Sequence, residues 1–160
     1  MEQTAMYVNI MQQSLERKYD YLKEILDITK EQSELIKNDA LEDDVFETTL
    51  DRKEILINNI NEIDKGFTAV YDKVRGEVLE DRQLYRNQLL KIQELIKKCV
   101  DFGMEIEALE ERNRAGIERK LSIGFKGIKQ AKQSKSVASK YYQSMANGYV
   151  NDSLLYDRKK

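Results

Sequence analysis

Residues 5–37 read AMYVNIMQQSLERKYDYLKEILDITKEQSELIK. Within them Val8, Met11, Leu15, Tyr19, Leu22, Ile25, Leu26, Thr29 and Ile36 recur mostly at intervals of three and four. That spacing gathers side chains on one face of an α-helix, and Glu16, Arg17, Glu24 and Lys30 fall on the other. A single amphipathic helix of this length gains little from propensity alone and is held by what its stripe packs against. The rest of the chain therefore has to supply partner helices.

It supplies two. The first stripe stops at Asn38-Asp39-Ala40, where Asn38 suits a left-handed C′ position and Asp39 can cap the next helix. A second helix is expected over about 44–75, its stripe running through Phe46, Thr49, Leu50, Lys53, Leu56, Ile57, Ile60, Ile63, Phe67, Val70, Tyr71 and Val74. Asp44 and Glu47 resemble a capping box, and Glu42-Asp43-Asp44 places negative charge at the positive end of that helix. Gly76 is expected to weaken its end, with a turn within 76–82. A third stripe comes next: Tyr85, Leu89, Ile92, Leu95, Ile96, Cys99, Phe102, Ile106, Leu109, Asn113 and Ile117. A thinner face continues through Leu121, Phe125, Ile128 and Ala131, interrupted by Gly116, Gly124 and Gly127, so the third helix is expected over about 83–132 and weak toward its end. Short connections make neighbours antiparallel. The fold class is all-α, an elongated antiparallel three-helix bundle with a basic C-terminal arm. Residues 1–132 form its body, and 133–160 form a mobile or conditionally ordered tail.

Composition removes many kinds of chemistry. The 160 residues include no proline, no histidine, no tryptophan and one cysteine. At average usage about eight prolines would occur. Without histidine there is no Ser-His-Asp or Cys-His device and no imidazole metal ligand. One thiol makes neither a disulfide framework nor a structural zinc site. The sequence assigns no catalytic residue, no metal ligand and no cofactor, and it predicts a protein that is not an enzyme. Cys99 and Asn113 fall on the third stripe. The first reads as core, the second as a buried amide that sets register. Glu107, Glu110 and Glu111 read as a solvated face. No apolar run approaches a membrane span, and the opening residues lack the pattern of a secretory signal, so a cytoplasmic location is expected.

Charge is unevenly placed. Residues 1–118 carry 17 Lys/Arg against 27 Asp/Glu, whereas residues 119–151 carry seven basic residues and no acidic one. A basic arm can bind nucleic acid, and Tyr141 and Tyr142 could stack on bases, but its lysines are spaced rather than clustered. The 119–135 segment as a membrane-surface helix has a thin, glycine-broken apolar face. The tail also concentrates Tyr141, Tyr142, Met145, Tyr149, Leu154, Leu155 and Tyr156, residue types that interfaces favour.

The segments Leu22-Lys23-Glu24-Ile25-Leu26-Asp27-Ile28-Thr29-Lys30-Glu31-Gln32, Arg52-Lys53-Glu54-Ile55-Leu56-Ile57 and Leu109-Glu110-Glu111-Arg112-Asn113-Arg114 occur in this order. Over roughly residues 10–120 the chain resembles the FlgN family of flagellar export chaperones. The resemblance implies a protein that keeps hook–filament junction subunits unassembled by holding their C-terminal amphipathic helical region. It also implies delivery of those subunits to the type III export apparatus, including its gate. In that family the C-terminal part binds, and a tyrosine there contributes to the gate contact, for which Tyr141, Tyr142 and Tyr149 are the nearest counterparts. The chain departs from the family's Tyr-Gly ending, closing instead on Asn-Gly-Tyr-Val and Leu-Leu-Tyr-Asp-Arg-Lys-Lys. The expected partner-binding residues are Ile117, Leu121, Phe125, Ile128, Tyr141, Tyr142, Met145 and Tyr149, and a homodimer is compatible with the pattern. A coiled-coil adaptor without an export role, or a nucleic-acid-binding bundle whose affinity falls steeply with salt, are the alternatives.

Overall fold

The computed structural model describes residues 2–38 and 43–122. They form three long helices: α1 Glu2–Lys37, α2 Asp43–Glu80 and α3 Arg86–Ser122. No strand occurs among the described residues. At 1.5 Å per residue each helix is about 55 Å long, so the molecule is an elongated all-α bundle.

Bonds between helices give the register. Thr4, Lys18 and Gln32 of α1 meet Glu77, Asp64 and Thr49 of α2, so these two run antiparallel. Tyr19 and Ser33 of α1, and Asn38 just after it, meet Phe102, Asn113 and Lys120 of α3, so α1 and α3 run parallel. α1 is the central element: α2 and α3 each pack along it and touch one another far less.

The apolar side chains sort into three stacked groups. At the base, Val8, Met11, Leu15, Phe67, Tyr71, Val74, Val78, Tyr85, Ile92 and Ile96 pack around the α2–α3 turn. In the middle, Leu22, Ile25, Leu26, Ile28, Leu56, Ile57, Ile60, Cys99 and Ile106 form the second group. At the tip, where α1 ends and α2 begins, the group among the described residues is Ile36, Phe46 and Ile117.

Two expectations are corrected. α2 does not end near Gly76 but runs to Glu80, and the turn occupies 81–85. Gly76 is exposed, with open space around it. Burial of Val78 on the next turn offsets the cost of about 1 kcal/mol that an interior glycine imposes. In the turn, the Asp81 amide donates to Glu77 O and the Leu84 amide to Asp81 O, both at 3.1 Å. The Leu89 amide donates to Tyr85 O at 2.8 Å, which starts α3. Gly116, read as a weak point, is a point of close approach: a β-carbon there would stand 2.5 Å from Ile36 Cγ2. The expected extension of α3 over 123–132, and the tail 133–160, lie outside the described residues.

Candidate functional site

Of the expected partner-binding residues, Ile117 and Leu121 fall among the described residues, both near the end of α3. Ile117 is not free surface. It is buried against Ile36 and Phe46, with Leu35 and Leu50 beside them, because α3 lies close to α1 at Gly116. Leu121 lies in the last turn of α3. Phe125, Ile128, Tyr141, Tyr142, Met145 and Tyr149 lie outside the described residues.

Between this small apolar group and the middle core is a layer of buried polar side chains drawn from all three helices. Lys53 of α2 pairs with Glu110 of α3, and its ammonium also donates to Gln32 Oε1 of α1 at 3.0 Å. Gln32 Nε2 donates to Thr49 Oγ1 at 3.0 Å. On the other side Asn113 Nδ2 donates to Thr29 O at 3.2 Å, and Ser33 Oγ donates to Asn113 Oδ1 at 2.7 Å. Thr29, Gln32, Thr49, Lys53, Glu110 and Asn113 are all buried. Asn113 is the buried amide on the stripe that its spacing implied. Glu110 does not belong to a solvated face: it points inward because Lys53 lies opposite.

A cleft of about 630 Å³ opens on the α1–α3 side of the tip. Ile36 and Leu109 line it together with Lys30, Lys37, Arg112 and Arg119, interleaved with Asp27, Glu31 and Glu34. Glu31 is bridged to Arg52 at 2.9 Å and Glu34 to Lys37 at 3.5 Å. Above the cleft the Lys120 ammonium donates to the backbone carbonyl of Asn38 at 2.9 Å, tying the end of α3 to the α1–α2 connection. Two apolar side chains set among charges of both signs offer an amphipathic helix an anchor and ionic partners.

Lys18 was missed from sequence. Its side chain is fully enclosed in the middle of the bundle and its ammonium lies 2.6 Å from Asp64 Oδ1. Burial lowers its pKa below the usual lysine value, against the pull of Asp64 in the other direction. Burial pushes the Cys99 thiol up to about 12; Asp64 adds to the rise and Lys18 opposes it. A thiol so held keeps its proton at neutral pH and is a poor nucleophile. Position was the available signal for Lys18, three residues after Leu15 and four before Leu22.

Among the described residues, no group of three or more Cys, Asp or Glu is placed to hold a metal ion, and no helix is long and apolar enough to cross a membrane. No protein-family model, curated protein or solved structure matches the chain.

Proposed function

We propose that this protein is a flagellar export chaperone of the FlgN type. It holds the C-terminal amphipathic helical region of a hook–filament junction subunit, keeps the subunit from assembling early, and presents it to the export gate. The observation that carries the reading is the tip: a cleft between α1 and α3, lined by Ile36 and Leu109 among charges of both signs, stands where α3 leads into the basic, tyrosine-rich stretch. The order of the segments at 22–32, 52–57 and 109–114, which resembles that family, supports it from the sequence. Leu121, Phe125 and Ile128, which continue the stripe beyond the buried Ile117, meet the client. Tyr141, Tyr142, Met145 and Tyr149 form the docking segment beyond it. Location in the cytoplasm belongs to the same reading.

The test is calorimetric titration of the full chain with the C-terminal region of a hook–filament junction subunit. Binding should be lost in Phe125→Glu and Ile128→Glu while thermal melts move by only a few degrees, because apolar anchors carry interface affinity. Truncation after Gln133 should leave a folded body with weakened client or gate binding. Full-strength binding by these variants would overturn the reading.

A further inference from the structure

The polar layer has a mechanical consequence that stands apart from the export reading. Below it, Leu26, Ile28, Leu56, Ile57 and Ile106 form dry apolar packing, and opening there would expose hydrocarbon to water with nothing in return. Above it, among the described residues, the apolar contact is the small group of Ile36, Phe46 and Ile117, flanked by the partly buried Leu35 and Leu50. Within the layer the bonds run between helices: Lys53 to Glu110, Lys53 to Gln32, Gln32 to Thr49, Ser33 to Asn113, and Asn113 to the Thr29 carbonyl. When such a layer parts, water replaces the lost partners, and the charged pair regains the hydration it gave up on burial. The contacts that α2 makes with α3 are sparse along the molecule, and Lys53–Glu110 is a direct tie between them at this end.

We propose that the tip opens as a unit, α3 from Glu110 onward leaving α1 and α2, while the core from Ile106 down stays packed. The layer is the zone where opening costs little, and the apolar packing beneath it is where opening stops. Cooperative sub-global opening of this kind is a general property of folded chains, drawn from their least apolar regions. In the open form Ile117 on α3 parts from Ile36 on α1 and Phe46 on α2, and the apolar side chains of both faces meet water.

Amide hydrogen exchange of the full-length protein in native buffer tests this. Amides in 110–120 should exchange at least about tenfold faster than those in 92–106, through an opening that denaturant hardly accelerates. Replacing the pair with apolar side chains of similar size, Lys53→Met with Glu110→Leu, should slow exchange in 110–120 by about tenfold or more and leave 92–106 unchanged, since opening would then expose hydrocarbon. If that double variant fails to fold, Ser33→Ala with Asn113→Leu, which removes the polar side-chain tie between α1 and α3, makes the same comparison. Exchange of 110–120 only at the rate of global unfolding would overturn the proposal. So would a folded apolar variant whose tip exchanges as fast as the wild type.

Discussion

Gly116 of α3 and Ile36 of α1 are in such close register that no β-carbon fits between them: one built on Gly116 would stand 2.5 Å from Ile36 Cγ2. This approach lets α3 lie against α1 at the tip, and it places Ile117 in the small apolar group rather than on the surface. Gly116→Ala should therefore destabilise the protein by about 1–3 kcal/mol, the cost of forcing a methyl group into packed side chains. Gly66 and Gly76 have nothing within 4 Å of the same position. Gly66→Ala and Gly76→Ala should each stabilise by about 0.5–1 kcal/mol through helix propensity alone. Urea melts of the three variants give opposite signs if this is right.

Lys18 and Asp64 form an asymmetric pair. Lys18 is fully buried, whereas about a third of the Asp64 side chain is exposed (32%). Lys18→Met fills the same volume and leaves a carboxylate that water can reach, so its stability should stay within about 1 kcal/mol of the wild type or rise above it. Asp64→Asn leaves an ammonium enclosed without its carboxylate and should cost about 2–3 kcal/mol. Equal losses in both variants would show that the attraction itself, rather than the cost of enclosing Lys18, dominates.

The Tyr85 hydroxyl is buried and has no hydrogen-bond partner, the single such side-chain atom among the described residues. Its ring belongs to the base group, where it closes the α2–α3 turn. Tyr85→Phe keeps the ring and removes the unmatched hydroxyl, so it should stabilise by about 1 kcal/mol, read as a melting point higher by a few degrees. Tyr85→Ala removes the ring and should cost about 3–5 kcal/mol.

Cys99 makes stability depend on alkaline pH. In the folded chain its thiol keeps the proton up to about 12, against an ordinary value of 9.0. Between those values the unfolded chain releases a proton that the folded chain retains, so stability falls as pH rises. The slope from this group is at most about 1.4 kcal/mol per pH unit. The contribution is whole below pH 9.0 and is lost as pH climbs toward about 12. Wild type should therefore lose stability faster than Cys99→Ala between pH 9 and about 10.5, the variant's cavity cost being independent of pH. At neutral pH, alkylation of Cys99 should proceed only as fast as the middle of the bundle opens.

The three helices were legible because their stripes run at the helical period for more than thirty residues each, and burial of Val8, Leu15, Leu22, Ile60, Ile92 and Ile106 follows that period. The α2–α3 turn was misplaced because Gly76 is a breaker only where nothing packs beyond it, and Val78 packs. The buried charges were harder to see. Lys53 on a stripe has a long aliphatic stem that can snorkel outward, and its sequence neighbours do not reveal Glu110, which is 57 positions away and opposite it only once α3 has returned. Asn113 could be read because a lone amide on an apolar stripe is unusual. Gly116 could not, since its reason is a single methyl group on another helix.

An odd number of helices gives the molecule polarity. α1 and α3 run the same way, so Glu2 and Ser122 stand at opposite poles, about 55 Å apart along the axis. A label, tag or surface attachment near Glu2 leaves the opposite pole unobstructed, and donor and acceptor dyes at the two poles report the state of one without touching the other. A two-helix or four-helix version of the same bundle would bring its first and last helix ends to one pole and lose that separation.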